Sequence, residues 1–125
     1  MLVDRLNDTG EWFAQRAPSS KGVDVIAQSK KHARTIFIEC KNTDQEEFRI
    51  GREELEALMK RAYVAGAQPF LAIHWRGRKN EKDKRRKWLS FYPSELLASK
   101  LDSAESKTLS FKPYDWHRTF EEIFT

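Results

Sequence analysis

The stretch from Val23 to Lys41 constrains the fold more than any other part of the chain. Val23-Asp24-Val25-Ile26-Ala27 and Thr35-Ile36-Phe37-Ile38-Glu39-Cys40-Lys41 are short β-rich runs, joined by a basic connection through Lys30, Lys31 and Arg34. Two such runs around a polar turn read as a hairpin. Side chains alternate across a strand, so Glu39 and Lys41 share one face while Ile38 and Cys40 take the other. Each run carries an acid where an apolar residue is otherwise expected, and Asp24 on the neighbouring strand is placed to meet Glu39 and Lys41.

Two carboxylates and a lysine converging at a strand edge suit a hard cation. Carboxylate oxygens hold Mg²⁺ or Mn²⁺ with waters left in the shell, and such an ion activates water near neutral pH while screening a phosphate. The lysine orients the water or offsets charge building on phosphoryl oxygens. An isolated Glu-x-Lys is usually a solvated strand face, but its convergence with Asp24 after an apolar run favours nuclease chemistry. Alternation turns the Cys40 sulfur away from the charges into the apolar layer, where a lone cysteine is core filler rather than a nucleophile. His32, His74 and His117 have no ligand spacing between them, so zinc is not expected.

Val23-Asp24 followed by Glu39-Cys40-Lys41 resembles the core of the PD-(D/E)xK nucleases, with Val in place of the usual Pro. The flanks narrow the resemblance. Arg16-Ala17-Pro18-Ser19-Ser20, Ile50-x-Arg52-Glu53 and Gly66-Ala67-Gln68-Pro69-Phe70-Leu71-Ala72 are similar to the archaeal-type Holliday junction resolvases, over residues 2 to 92. That resemblance implies a restriction-endonuclease-like α/β fold and a metal-dependent homodimer that nicks four-way DNA junctions symmetrically. It implies catalytic roles for Asp24, Glu39 and Lys41, with Asp24, Glu39 and the Cys40 main-chain carbonyl on Mg²⁺ or Mn²⁺. It also implies DNA or phosphate contacts from Arg16, Ser19, Ser20 and Lys21, although ordinary turn formation explains the serines equally well. The family's glutamate on the N-terminal helix has no counterpart, because its spacing counted back from Arg16 passes the first residue. Further residues upstream, Asp4 acting as a weak ligand through a shortened helix, and a site with fewer carboxylates all remain open. The same core also serves duplex-cutting restriction or repair endonucleases, and a junction-binding module without catalysis is the non-enzymatic alternative.

The 125 residues are expected to form a single domain, with the motif-bearing core at 2–92 and an extension at 93–125. A single cysteine excludes an internal disulfide, and no apolar run approaches membrane length. A reducing, cytoplasmic compartment follows, with neither a membrane partner nor a small-molecule cofactor. The net charge of +4 permits a nucleic-acid partner. Leu2, Val3 and Leu6 predict a scrap of helix, and Trp12 to Arg16 a first strand. Leu55, Leu58, Met59 and Ala62 predict an amphipathic helix from Arg52 to Gly66, with Glu53 and Glu54 suiting its positive end. The apolar run Pro69–Trp75 reads as a buried strand, parallel to the Glu39 strand across the helix. Arg76 to Lys87 has eight basic residues against two acidic, among them Arg76, Arg78, Lys79, Lys84, Arg85 and Arg86. Opposite a metal-nuclease motif, such a segment is expected to bind backbone phosphate. Trp88 to Tyr92 reads as the last strand of a mixed, twisted sheet of about five strands with flanking helices. Ser94 caps a short helix, Ala98 to Lys107 reads as loop, and Tyr114 to Phe124 as a terminal helix. All four tryptophans are expected in core or interface.

Overall fold

A computed structural model describes residues 2–17, 23–31, 33–76, 88–103 and 105–125. The expected hairpin forms from β2 (Val25–Ser29) and β3 (Arg34–Thr43), antiparallel, with Val25 opposite Ile38 and Ala27 opposite Ile36. Before it come α1 (Leu2–Asp8) and β1 (Phe13–Arg16), the latter pairing antiparallel with β2 so that Arg16 meets Val25. The Ala17 N–H donates to the Asp24 carbonyl at 2.9 Å, which carries that ladder one step further.

After β3 the chain forms a short strand, β4 (Phe48–Gly51), and then α2 (Arg52–Ala65). Leu55, Leu58 and Ala62 are fully buried along one side of α2, and burying a leucine contributes about 1.5–3 kcal/mol. Gly66 ends the helix at φ 66°, a left-handed conformation that a Cβ would strain. The helix is the crossover that brings β5 (Gln68–Trp75) alongside β3 in parallel, with Leu71 beside Glu39 and Ile73 beside Lys41. β6 (Trp88–Pro93) returns antiparallel to β5, giving the order β1-β2-β3-β5-β6.

The sheet separates two apolar clusters. One contains Leu6, Trp12, Ile38, Phe70, Phe91 and Phe124, with Cys40 against it. The other contains Leu55, Leu58, Leu71, Ile73 and Tyr92 under α2, with Phe37 against it. Ile38 and Cys40 therefore lie on one face and Phe37 on the other, as strand alternation requires.

The C-terminal third differs from expectation. The helix beginning at Ser94, α3, runs on to Ser103, so more than half of the expected Ala98–Lys107 loop is helical. Lys100 explains the extension: its ammonium reaches the Ser110 carbonyl and the Asp115 carboxylate at 2.7 and 3.0 Å, and Arg52 binds the Leu101 carbonyl at 3.0 Å. A strand the sequence reading missed, β7 (Thr108–Phe111), pairs antiparallel with β4 in a second, two-stranded sheet. The terminal helix, α4, spans only Phe120–Phe124. It starts there because Thr119 and Glu122 form a reciprocal capping box, while Asp115 holds the Lys112 N–H at 2.9 Å and keeps the preceding turn out of the helix. Trp12 and Trp75 are buried as expected, but Trp116 lies on the non-helical turn and is 53% exposed.

Candidate active site

β2 stops at Val25 while β3 continues, and this difference in length creates the site. The Asp24 N–H donates to the Ile38 carbonyl at 2.9 Å, and the Asp24 carboxylate then accepts the Cys40 N–H at 2.8 Å where the next ladder bond would have formed. A side chain thus replaces a strand at the sheet edge. N–H and C=O of one strand residue point to the same neighbour, so the Cys40 carbonyl faces the same opening as Asp24.

Glu39 projects toward α2 and is 4% exposed. Its Oε1 lies 3.3 Å from the Lys41 ammonium, whereas its Oε2 is buried with no hydrogen-bond partner. Burial first, and the adjacent negative charge of Asp24 second, push the Glu39 carboxyl up to about 7 from an ordinary 4.5, against the pull of Lys41. Natural proteins rarely leave such an oxygen unpaired.

Lys41 is shared between Glu39 and Glu54, a residue of the first turn of α2. Burial alone would lower its pKa, but the hydrogen bond to Glu54 and the charges of Glu39 and Glu54 outweigh it and hold the ammonium above its ordinary range. Glu54 joins the candidate site through Lys41, a placement that sequence reasoning set aside because the helix dipole already accounts for an acid in that first turn. The signal was the parallel crossover, which sets the start of α2 over the end of β3. Cys40 packs into the apolar layer, and burial with the charges of Asp24 and Glu39 pushes its thiol up to about 12. At that value it is no nucleophile.

A cleft of about 930 Å³ opens between α1, α4 and β5, and Arg16, Asp24 and Lys41 line it. Arg16 is exposed at the end of β1. Asp4 is exposed on α1 and, unlike its neighbours Val3 and Arg5, does not line the cleft. Arg76 is exposed just beyond β5, five positions along from Leu71, which places it about 17 Å from Glu39 along the strand direction. Ser19, Ser20, Lys21, Arg78, Lys79, Lys84, Arg85 and Arg86 lie outside the described residues, as does His32.

The donor set fits a hard divalent cation. The unpartnered Glu39 Oε2, the edge carboxylate of Asp24 and the Cys40 carbonyl are all oxygens, the ligand type such ions take. Among the described residues no third His, Cys, Asp or Glu side chain completes a metal cluster.

A hairpin whose longer strand carries the Glu-x-Lys pair and is joined in parallel through a helix to a buried strand defines the restriction-endonuclease-like class of α/β fold. Within that class, a family model described as archaeal Holliday junction resolvase (Hjc) matches residues 1–108, and the chain belongs to that family. The crossover junction endodeoxyribonuclease Hjc of Methanocaldococcus jannaschii is 37% identical over 75 residues, 60% of this chain. The chain spans 55% of that relative's length. The structure of Archaeoglobus fulgidus Hjc, a Holliday junction resolvase from an archaeal hyperthermophile, is similar in fold. It matches with a TM-score of 0.72 at 17% identity, covering 98% of this chain and 88% of that one. Among the described residues no helix is long and apolar enough to cross a membrane.

Proposed function

We propose that this chain is a divalent-metal-dependent endonuclease that resolves four-way DNA junctions by paired symmetric nicks, acting as a homodimer. The observation that carries the reading is the buried, unpartnered Glu39 Oε2 beside Asp24, in a chain of the junction-resolvase family. Asp24, Glu39 and the Cys40 carbonyl would hold Mg²⁺ or Mn²⁺. A bound divalent cation lowers the pKa of water and screens the phosphate's negative charge.

Lys41, fixed between Glu39 and Glu54, points its ammonium at the charge that develops on the phosphoryl oxygens and orients the attacking water. Water attacks phosphorus in line and the bond to the 3′ oxygen breaks, leaving a 3′-hydroxyl and a 5′-phosphate. Arg16 at the cleft rim contacts the DNA backbone, and Ser19, Ser20 and Lys21 donate to phosphate oxygens. Arg76, Arg78, Lys79, Lys84, Arg85 and Arg86 bind backbone phosphate. Two sites related by a two-fold axis match two symmetric nicks.

The test compares a four-way junction with linear duplex of equal length by gel shift in calcium, then adds Mg²⁺ and scores cleavage. The unmutated chain should bind the junction more tightly and cut it, while Asp24→Asn and Glu39→Gln bind it and do not cut. Equal affinity for both DNAs moves the substrate to duplex, and cleavage by either carboxamide variant at the unmutated rate removes that residue from the site.

A further inference from the structure

Between β7 and α4 the chain makes an irregular turn, residues 112–118, beyond the residues that the family model matches. The turn is pinned to the body along its length. The Tyr92 hydroxyl donates to the Lys112 carbonyl at 2.7 Å. The half-buried Asp115 carboxylate accepts from the Lys112 N–H at 2.9 Å and from the Lys100 ammonium at 3.0 Å. His117 Nδ1 lies 2.7 Å from the Asp115 carbonyl, and its ring stands edge-on to Tyr92 with centres 5.9 Å apart. Arg118 exchanges both main-chain hydrogen bonds with Phe91, at 2.8 and 3.0 Å.

Between these anchors Tyr114 and Trp116 stand 78% and 53% exposed. Each has a cation over its ring, Lys112 at 5.8 Å from Tyr114 and Arg118 at 5.6 Å from Trp116. Neither ring contributes to a buried cluster, so packing does not account for an anchored turn that presents them. A cation covers one face of a ring and leaves the other open. Open aromatic faces flanked by positive charge match an unstacked nucleobase and its phosphate, since every base offers a π surface and every nucleotide a negative charge. The position agrees, because Arg118 leads straight into Thr119, Phe120 and Glu121, which line the cleft together with Asp24 and Lys41.

Resting on the DNA-cutting reading above, we propose that Tyr114 and Trp116, with Lys112 and Arg118, form a stacking platform for unpaired bases at the β6 edge of the sheet, three strand spacings from Cys40. The turn is fixed before binding, so little ordering is lost when a base docks.

The test is fluorescence anisotropy in calcium with three probes: a fully paired four-way junction, the same junction with unpaired thymines at its branch point, and an oligothymidine strand. The double variant Tyr114→Ala, Trp116→Ala should weaken the two probes with unpaired bases by roughly tenfold per ring removed and change the paired junction less. Replacing both by Phe should keep most of the affinity. Should the alanine variant fail to fold, Trp116→Phe substitutes: the unmutated protein should show tryptophan quenching by oligothymidine that this variant lacks. Unchanged affinity of the folded alanine variant, or an equal loss on all three probes, overturns the platform and leaves the nuclease reading standing. A shift in sedimentation with DNA affinity unchanged overturns it by assigning the rings to a second copy of the chain. An unmutated chain that binds no DNA overturns platform and nuclease reading together.

Discussion

Replacing Glu39 with Gln should stabilise the protein while destroying its activity, and the size of the gain follows from the site. The folded state keeps the Glu39 proton up to about pH 7, whereas an unfolded glutamate releases it near 4.5. Between those values the folded chain binds more protons than the unfolded one, so stability falls as pH rises. The loss is about 2 kcal/mol at pH 6 and levels off at about 3 kcal/mol by pH 8. A neutral glutamine avoids it. Urea unfolding of both proteins in a chelator, from pH 4.5 to 8, should therefore give curves that meet at the acid end and separate as pH rises. Titrating groups away from the site are common to both proteins and cancel in the difference. Saturating Mg²⁺ should restore the unmutated protein toward the variant by mass action and leave the variant unmoved. A stability difference that does not change across this pH range refutes the claim that burial and Asp24 hold Glu39 in a strained charge state.

Lys41→Ala should cut the cleavage rate by about two to three orders of magnitude, as loss of an oxyanion-stabilising donor does; single-turnover kinetics check it, and binding in calcium should change little. Alanine at Lys84, Arg85 and Arg86 together should flatten the plot of log K against log salt by up to about 0.9 for each phosphate no longer neutralised, and an unchanged slope would mean that this segment is only solvated. Asp4→Asn should leave cleavage at saturating Mg²⁺ at the unmutated rate, since Asp4 does not line the cleft; a slowed reaction would place it among the ligands. Phe124→Ala should cost about 3–5 kcal/mol in urea unfolding, because Phe124 is 1% exposed and packs edge-on against Trp12 and Phe91.

What the sequence made legible is what periodicity and alternation encode. The hairpin, the α2 stripe of Leu55, Leu58 and Ala62, the Gly66 stop and the parallel run to Trp75 all follow from local pattern, and they bring Asp24, Glu39 and Lys41 together. The Glu54 contact was harder to read, because it depends on where the crossover helix lands rather than on spacing along the chain. β4 and β7 were hidden for a similar reason: Phe48–Gly51 and Thr108–Phe111 are too short to show alternation, and only their pairing makes them strands. The terminal helix is shorter than its pattern suggests because Trp116 falls at nearly helical spacing from Phe120 and Ile123 without joining their helix. A side-chain bond from Asp115 and the cap at Thr119 override that pattern.

The Trp12 indole donates to the Phe124 carbonyl at 3.1 Å, and Arg5 pairs with Glu121 at 2.8 Å, so residues more than a hundred positions apart complete one apolar layer. During synthesis that layer must wait. Leu6, Trp12 and Phe91 stay without their covering partners until Phe120, Ile123 and Phe124 have left the ribosome, whatever the hairpin has already done. Contacts of such long sequence separation form slowly, and the nascent chain is exposed to aggregation meanwhile. Emergence of Phe120, Ile123 and Phe124, rather than closure of the hairpin, therefore sets the moment at which this half of the molecule becomes safe from its own neighbours.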